Sequence, residues 1–203
     1  MLEHDPLNLI ICGVGGQGNV LASQIIASAA VKEGLFVTIG ETYGASQRGG
    51  SVMSHVRFSE EMQYGPLIPV GQAHIILGFE PIETLRVISD YGNPNIDVIL
   101  NPRPNYPMDV LSGRAVYPDI NEVLDTIKEL SVSTKVVEAT ELAKGAGDTI
   151  VSSVVMVGCI AGSALIPIKA ESFKNAIKDM LPGKKHELNL KAFELGVEGV
   201  KKA

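Results

Sequence analysis

Apolar residues run unbroken from Leu9 to Cys12 in NLIIC at 8–12. A run that short and continuous predicts a strand at 7–12 buried on both faces. From Gly18 to Glu33 the pattern becomes helical, with Val20 or Leu21, Ile25 and Ala29 on one stripe, and Gly34 ends it. LFVTIG at 35–40 is a second strand, which completes a βαβ opening. SVMSHVRF then alternates, with Val52, Ser54, Val56 and Phe58 on one face and Ser51, Met53, His55 and Arg57 on the other. A strand directly after a strand implies an antiparallel or irregular insertion in the sheet.

Further along, HIILGF at 74–79 and DVILN at 97–101 predict buried strands, and Pro81 starts a helix through about Val87. PRPNYP cannot pair centrally in a sheet. Short strands are expected at 115–117 and 134–139, with a helix at 119–130 between them. Helices are expected at 149–165, 170–180 and 187–202, the last two parted by Pro182-Gly183. No repeat or low-complexity linker interrupts residues 1–203. The expected architecture is one domain, an α/β three-layer Rossmann-like sandwich with a mainly parallel sheet and a helical C-terminal part.

The segment TIVSSVVMVGCIAGSALIPI is long enough to raise the question of a membrane span. Asp148 precedes it, Ser152, Ser153 and Ser163 interrupt it, and Pro167 ends it, so a buried helix is expected. The N-terminal MLEHDPLN lacks the basic and apolar regions of a secretory signal. A net charge of −6 and the absence of a basic cluster argue against nucleic acid or anionic membrane as the main partner.

Cys12 and Cys159 are the only cysteines, too few for an ordinary iron–sulfur cluster. Each lies in an apolar segment, as expected of buried thiols in a reducing cytoplasm. The 4 histidines show no metal-ligand spacing, so the expectation is that this chain alone carries no metal.

Glycines 13, 15, 16 and 18 stand between a strand and a helix. Bare backbone amides at a helix N-terminus suit phosphate or carboxylate. A dinucleotide fold would also want an acid at the end of the second strand, and Glu41 is close to that place. Two features weigh against NAD(P) or FAD. Gln17 and Asn19 add polar side chains, expected to point into the crevice. Glu41 opens a second glycine-punctuated loop, ETYGASQRGGSVMSHVR, carrying Gln47, Arg48, Gly49 and Gly50. Such a loop can close over an anion, order against another protein, or be plain surface. His55 and Arg57 either extend a polar site or mark an exposed sheet edge. No Walker lysine, G-x-S-x-G elbow or Cys/His pair is present, and no catalytic residue is assigned.

GVGGQGNVLASQIIASAAVKEG followed by ETYGASQRGGSVMSHVRFS resembles the gamma-type domain of the 2-oxoacid:ferredoxin oxidoreductases, and within them the indolepyruvate (aryl-pyruvate) branch. PLIPVGQAHIILGFEPIETLR at 66–86 and ELNLKAFELG at 187–196 extend the resemblance over nearly the whole chain. It implies a small subunit of an enzyme that oxidatively decarboxylates 2-oxoacids to acyl-CoA and passes electrons to ferredoxin. Thiamine diphosphate and the iron–sulfur clusters would belong to a large partner subunit, coenzyme A would be a co-substrate, and the isolated chain would be inactive.

By the same resemblance Gly15, Gly16, Gln17 and Gly18 form one loop of the site. Gln47, Arg48, Gly49, Gly50 and Ser51 form the second, at the catalytic pocket or the coenzyme A channel, with Arg48 and Arg57 as anion contacts. Members often carry Asn near the start of the long apolar helix, where this chain has Ser153. Alternatives are a pyruvate, 2-oxoglutarate or branched-chain 2-oxoacid enzyme, a non-catalytic subunit, or a free-standing NAD(P)- or FAD-dependent oxidoreductase.

Overall fold

A computed structural model describes residues 1–44 and 49–203. The two halves of NLIIC's strand neighbourhood alternate between two cores. β1 (Leu7–Val14) is buried along its whole length. It sends Leu7, Leu9 and Ile11 into one core and Ile10 and Cys12 into another, which is why its sequence is apolar rather than alternating.

In chain order β1 is followed by α1 (Asn19–Lys32), β2 (Phe36–Tyr43), β3 (Ser51–Ser59), β4 (Ile75–Gly78) and α2 (Pro81–Tyr91). Then come β5 (Asp97–Leu100), α3 (Met108–Leu111), α4 (Ile120–Glu129), β6 (Ser133–Val136) and α5 (Ala139–Ala146). α6 (Ser152–Ser163), α7 (Ala170–Met180) and α8 (His186–Lys202) complete the chain.

The sheet order is β2-β3-β1-β4-β5-β6. Among the described residues β3 alone runs against the rest, antiparallel to β1 and β2, while β1, β4, β5 and β6 pair in parallel. The expected insertion is therefore β3, which separates β2 from β1. The larger core joins one sheet face to α1, α5, α6, α7 and α8, and the smaller joins the other face to α2 and α4. These are the three layers expected.

α6 is enclosed, with Ser153 to Ile160 all buried. Its small residues let α8 approach backbone to backbone. A Cβ on Gly158 would stand 2.1 Å from the Phe193 carbonyl, and one on Gly196 would stand 2.0 Å from that of Val155. At 12 residues the helix is ~18 Å long, well short of a bilayer core. Among the described residues no helix is long and apolar enough to cross a membrane.

Three local expectations are corrected. Residues 115–117 form no strand, because Tyr117 is drawn to Glu80 instead. The strand expected at 134–139 ends at Val136, and the chain turns into α5, whose Ala139, Ala143 and Ala146 recur at helical spacing and are buried. The helix from Pro81 continues past Val87 to Tyr91, where Gly92 stops it.

Candidate functional site

The glycine loop occupies the crevice between the C-terminal ends of β1 and β4, where the chain leaves toward opposite faces and opposite edges of the sheet. Such a switch point is where open α/β sheets bind ligands. Here Gln17 folds into the crevice instead of projecting from it. Its Oε1 accepts from the Val14 amide at 2.7 Å, and its Nε2 donates to the Phe79 carbonyl at 3.1 Å. Gly13 is required beneath it, since a Cβ there would meet Gln17 Oε1 at 2.6 Å. Gln17 and Asn19 each line a cleft beside the loop, as expected of side chains in the crevice, but both also spend hydrogen bonds on backbone. Asn19 is buried at the start of α1 and donates to the Val52 carbonyl at 3.3 Å, while its Oδ1 is buried without a partner.

The two glycine loops are bonded to each other. Gly15 donates to the Gly50 carbonyl at 2.8 Å, and Gly49 donates to the Gly15 carbonyl at 3.3 Å. Ser51 closes the base of the second loop by accepting from the Gly44 amide at 3.0 Å. Gly16 and Gly18 both have positive φ, at 106° and 89°, a region open to glycine. Gly18 also packs on the first turn of α6, where a Cβ would meet Ser153 at 2.8 Å. Gln47 and Arg48 lie outside the described residues.

Glu41 and Arg57 are not brought to this surface. The Glu41 carboxylate accepts from Ser23 Oγ at 3.0 Å and Ser54 Oγ at 2.6 Å, so it fastens α1 to β3. With β3 between β2 and β1, the acid also stands one strand further from the glycine loop than a ribose-binding acid would. Arg57 pairs across from Asn8, whereas Ser51 pairs with Val14, which places the arginine ~20 Å along the strand from the loop. Its guanidinium donates to Asn8 Oδ1 at 3.1 Å and to the Gly65 carbonyl at 3.0 Å, and lies over the Tyr64 ring. His55 is buried, accepts from the Ile68 amide at 3.3 Å, and meets Tyr91 edge-on. Burial, then the nearby Arg57 charge, hold its pKa below the usual histidine value.

Three clefts surround the loop. One of about 590 Å³ lies between Gly49 and the start of α2, with apolar walls from Ile82, Leu111 and Val116 and with Glu80 and Glu83 inside. A second, about 430 Å³, lies between Gly16, Asn19, Tyr43 and Val52. A third, about 460 Å³, is bounded by Gly16, Asn101, Arg103, Thr140 and Ser152. Sequence reasoning missed Glu80, which is 1% exposed and caps α2 by accepting from the Glu83 amide at 2.9 Å. Glu80 also receives the Tyr117 hydroxyl and the Asn105 amide, and so straps the 102–119 segment across the first cleft. Burial, then the bond to Glu80, raise the Tyr117 pKa. Asn101 and Arg103 were missed too. The available signal was DVILN, an apolar strand that ends on a polar residue at the ligand-binding edge.

The thiols do not fit a metal cluster. Cys12 lies in the smaller core and Cys159 in the larger, so the two are not placed to share a cluster, and burial pushes Cys12 up and Cys159 up to about 12. Among the described residues no group of three or more His, Cys, Asp or Glu is arranged to hold a metal.

The pyruvate ferredoxin/flavodoxin oxidoreductase family matches residues 8–199. The chain is 39% identical to the indolepyruvate oxidoreductase subunit IorB of Pyrococcus horikoshii, over 96% of each chain. It is 40% identical to the subunit of the same name from Archaeoglobus fulgidus, over 94% of this chain and 93% of that one. In fold it is similar to a 2-oxoglutarate:ferredoxin oxidoreductase from Magnetococcus marinus, solved with 2-oxoglutarate, coenzyme A and succinyl-CoA bound. That similarity has a TM-score of 0.77 at 23% identity and covers 99% of this chain and 32% of the other.

Proposed function

We infer that this chain, which belongs to the pyruvate ferredoxin/flavodoxin oxidoreductase family, is the small subunit of an indolepyruvate (aryl-pyruvate):ferredoxin oxidoreductase. It contributes to the oxidative decarboxylation of an aryl 2-oxoacid to its acyl-CoA, with the electrons passing to ferredoxin. Similarity to two IorB subunits over more than nine-tenths of the chain favours that substrate class over pyruvate or 2-oxoglutarate.

The observation that carries the reading is the pair of bonds joining Gly15 to Gly50 and Gly49. They bring Gly49 and Gly50 of the second motif against Gly15 of the first, giving one largely backbone surface at the C-terminal end of β1. A surface rich in bare peptide groups suits close approach by an anionic co-substrate or by another protein. Gly15, Gly16, Gly18, Gly49, Gly50 and Ser51 are its elements, and Gln17 holds it from below. Gln47 and Arg48, which lie outside the described residues, are included in the second motif by sequence alone. Glu41 and Arg57 are assigned to support.

Thiamine diphosphate and the clusters are placed on a large partner subunit by the family resemblance, and the two buried cysteines of this chain are too few for a cluster. Coenzyme A is the expected co-substrate at the shared surface. The isolated chain is inactive, and the complex is cytoplasmic. Co-expression with the large thiamine diphosphate and iron–sulfur subunit, followed by light scattering on a sizing column, tests the assignment. A stable hetero-complex is expected. Two proteins that elute separately at micromolar concentration would remove the subunit role.

A further inference from the structure

The two edges of the sheet are built differently. At one edge β6 is only 4 residues long. It carries Lys135, whose Nζ donates to the Val200 and Ala203 carbonyls at the end of α8, at 3.2 and 3.4 Å. A short strand that bears a lysine is a guarded edge. At the other edge β2 is 8 residues long, FVTIGETY, and contains no Lys, Arg or Pro. At ~3.4 Å per residue it presents an edge of ~27 Å.

Glu41, the single charge on β2, does not guard that edge, because Ser23 and Ser54 hold its carboxylate. Among the described residues no strand pairs with the outer side of β2. Gln63 touches it, with Nε2 donating to the Val37 carbonyl at a long 3.4 Å. The chain at 64–66 instead crosses the face of the strand. There the Tyr64 carbonyl accepts from Thr38 Oγ1 at 2.9 Å, and a Cβ on Gly40 would stand 2.8 Å from the Pro66 carbonyl. Aromatic side chains stay exposed at both ends of β2, Phe36 at 47% and Tyr43 at 55%. A long edge without outward charge or proline is a template for another strand.

A second copy of this chain fits that template. Antiparallel pairing about a two-fold axis through Gly40 sets Val37 opposite Tyr43 of the second copy, and Thr38 opposite its Thr42. Aromatic–β-branched and Thr–Thr pairs both stabilise neighbouring strands. Glu41 falls opposite Ile39, so no carboxylate directly faces another, which matters between two chains of net charge −6. Pairing along the whole strand supplies about eight backbone hydrogen bonds, near the roughly ten of an ordinary interface. The contact is the same patch on both chains and closes at two.

We propose that this chain forms a two-fold homodimer through β2, whose antiparallel self-pairing joins two 6-stranded sheets into one continuous sheet. The inference needs neither the large subunit nor the substrate class.

Sedimentation equilibrium of the full chain, from low to high micromolar concentration, should show the mass of two chains at the upper end. Thr42→Lys places a charge at an exposed position of the edge. It should weaken the dimer about tenfold, since the loss is counted twice across the two-fold, with an unchanged far-UV spectrum. A second variant reads the register. In Thr38→Cys/Thr42→Cys the new thiols of two copies stand at disulfide distance. Mild oxidation should therefore link two chains, whereas Cys12 and Cys159 of the parent are buried and should not. A monomer at every concentration, a dimer indifferent to Thr42→Lys, or no linked product from the cysteine pair overturns the proposal. Hydrogen exchange at β2 amides that slows only when the large subunit is added would give the edge to that partner, and overturns it too.

Discussion

The Gly15 amide donates to the Gly50 carbonyl across 2.8 Å, so two loops separated by thirty-odd residues of sequence act as one structural unit. Gly16 and Gly18 show how to separate backbone strain from packing. Both have positive φ, so alanine costs roughly 1–2 kcal/mol at either position. Only at Gly18 does the new Cβ also meet Ser153, at 2.8 Å. Gly18→Ala should therefore lower the Tm clearly more than Gly16→Ala. Equal losses in calorimetry would show that α6 does not press on the loop.

Gln17 carries the loop from beneath through one accepted and one donated bond. Gln17→Glu keeps the acceptor for the Val14 amide but sets a carboxylate against the Phe79 carbonyl. A loss of roughly 1–3 kcal/mol is expected from the unpaired groups. Urea denaturation measures it, and a variant as stable as the parent would contradict the two-bond arrangement.

Tyr117→Phe removes the hydroxyl that reaches Glu80. The expected result is faster hydrogen exchange at Asn105, whose amide shares the same carboxylate at 3.4 Å, and a loss of roughly 1–3 kcal/mol. Unchanged exchange across 102–119 would mean that the strap is held by other contacts.

His74 gives the fold a pH dependence of known sign. Its Nδ1 accepts from the Asn8 amide at 3.0 Å, and its ring stacks on His4 at 4.2 Å. Burial, then the His4 charge, hold its pKa down to about 4 from the usual 6.5. The unfolded chain takes up the proton first, so the stability from neutral His74 is complete above about pH 6.5 and falls as pH drops toward 4. His74→Gln keeps an acceptor and removes the titration. Its Tm should vary less between pH 7 and pH 4.5 than that of the parent, and parallel curves would assign the acid sensitivity elsewhere.

The layers of this fold were legible because apolar runs and helical stripes decide burial. The NLIIC strand, α1 and the enclosed α6 all follow from such patterns. Contacts between distant residues were not legible. Nothing around AVY at 115–117 indicates that Tyr117 leaves the sheet for Glu80, since that bond spans 37 positions. The same limit applied to side-chain direction. Gln17, Glu41 and Arg57 were identified as polar groups near a site, but each spends its hydrogen bonds on neighbouring backbone or side chains. The glycine loops themselves could be read from the sequence, because a positive φ and close backbone approach demand a residue without a side chain.

Reconstitution tests the central claim most directly. Indolepyruvate- and coenzyme A-dependent reduction of ferredoxin should be measured for this chain alone, the large subunit alone, and the two together. The account predicts turnover that rises with added chain and saturates at a fixed ratio, with none from this chain by itself. Turnover by the isolated chain, or a large-subunit rate indifferent to its addition, would contradict it.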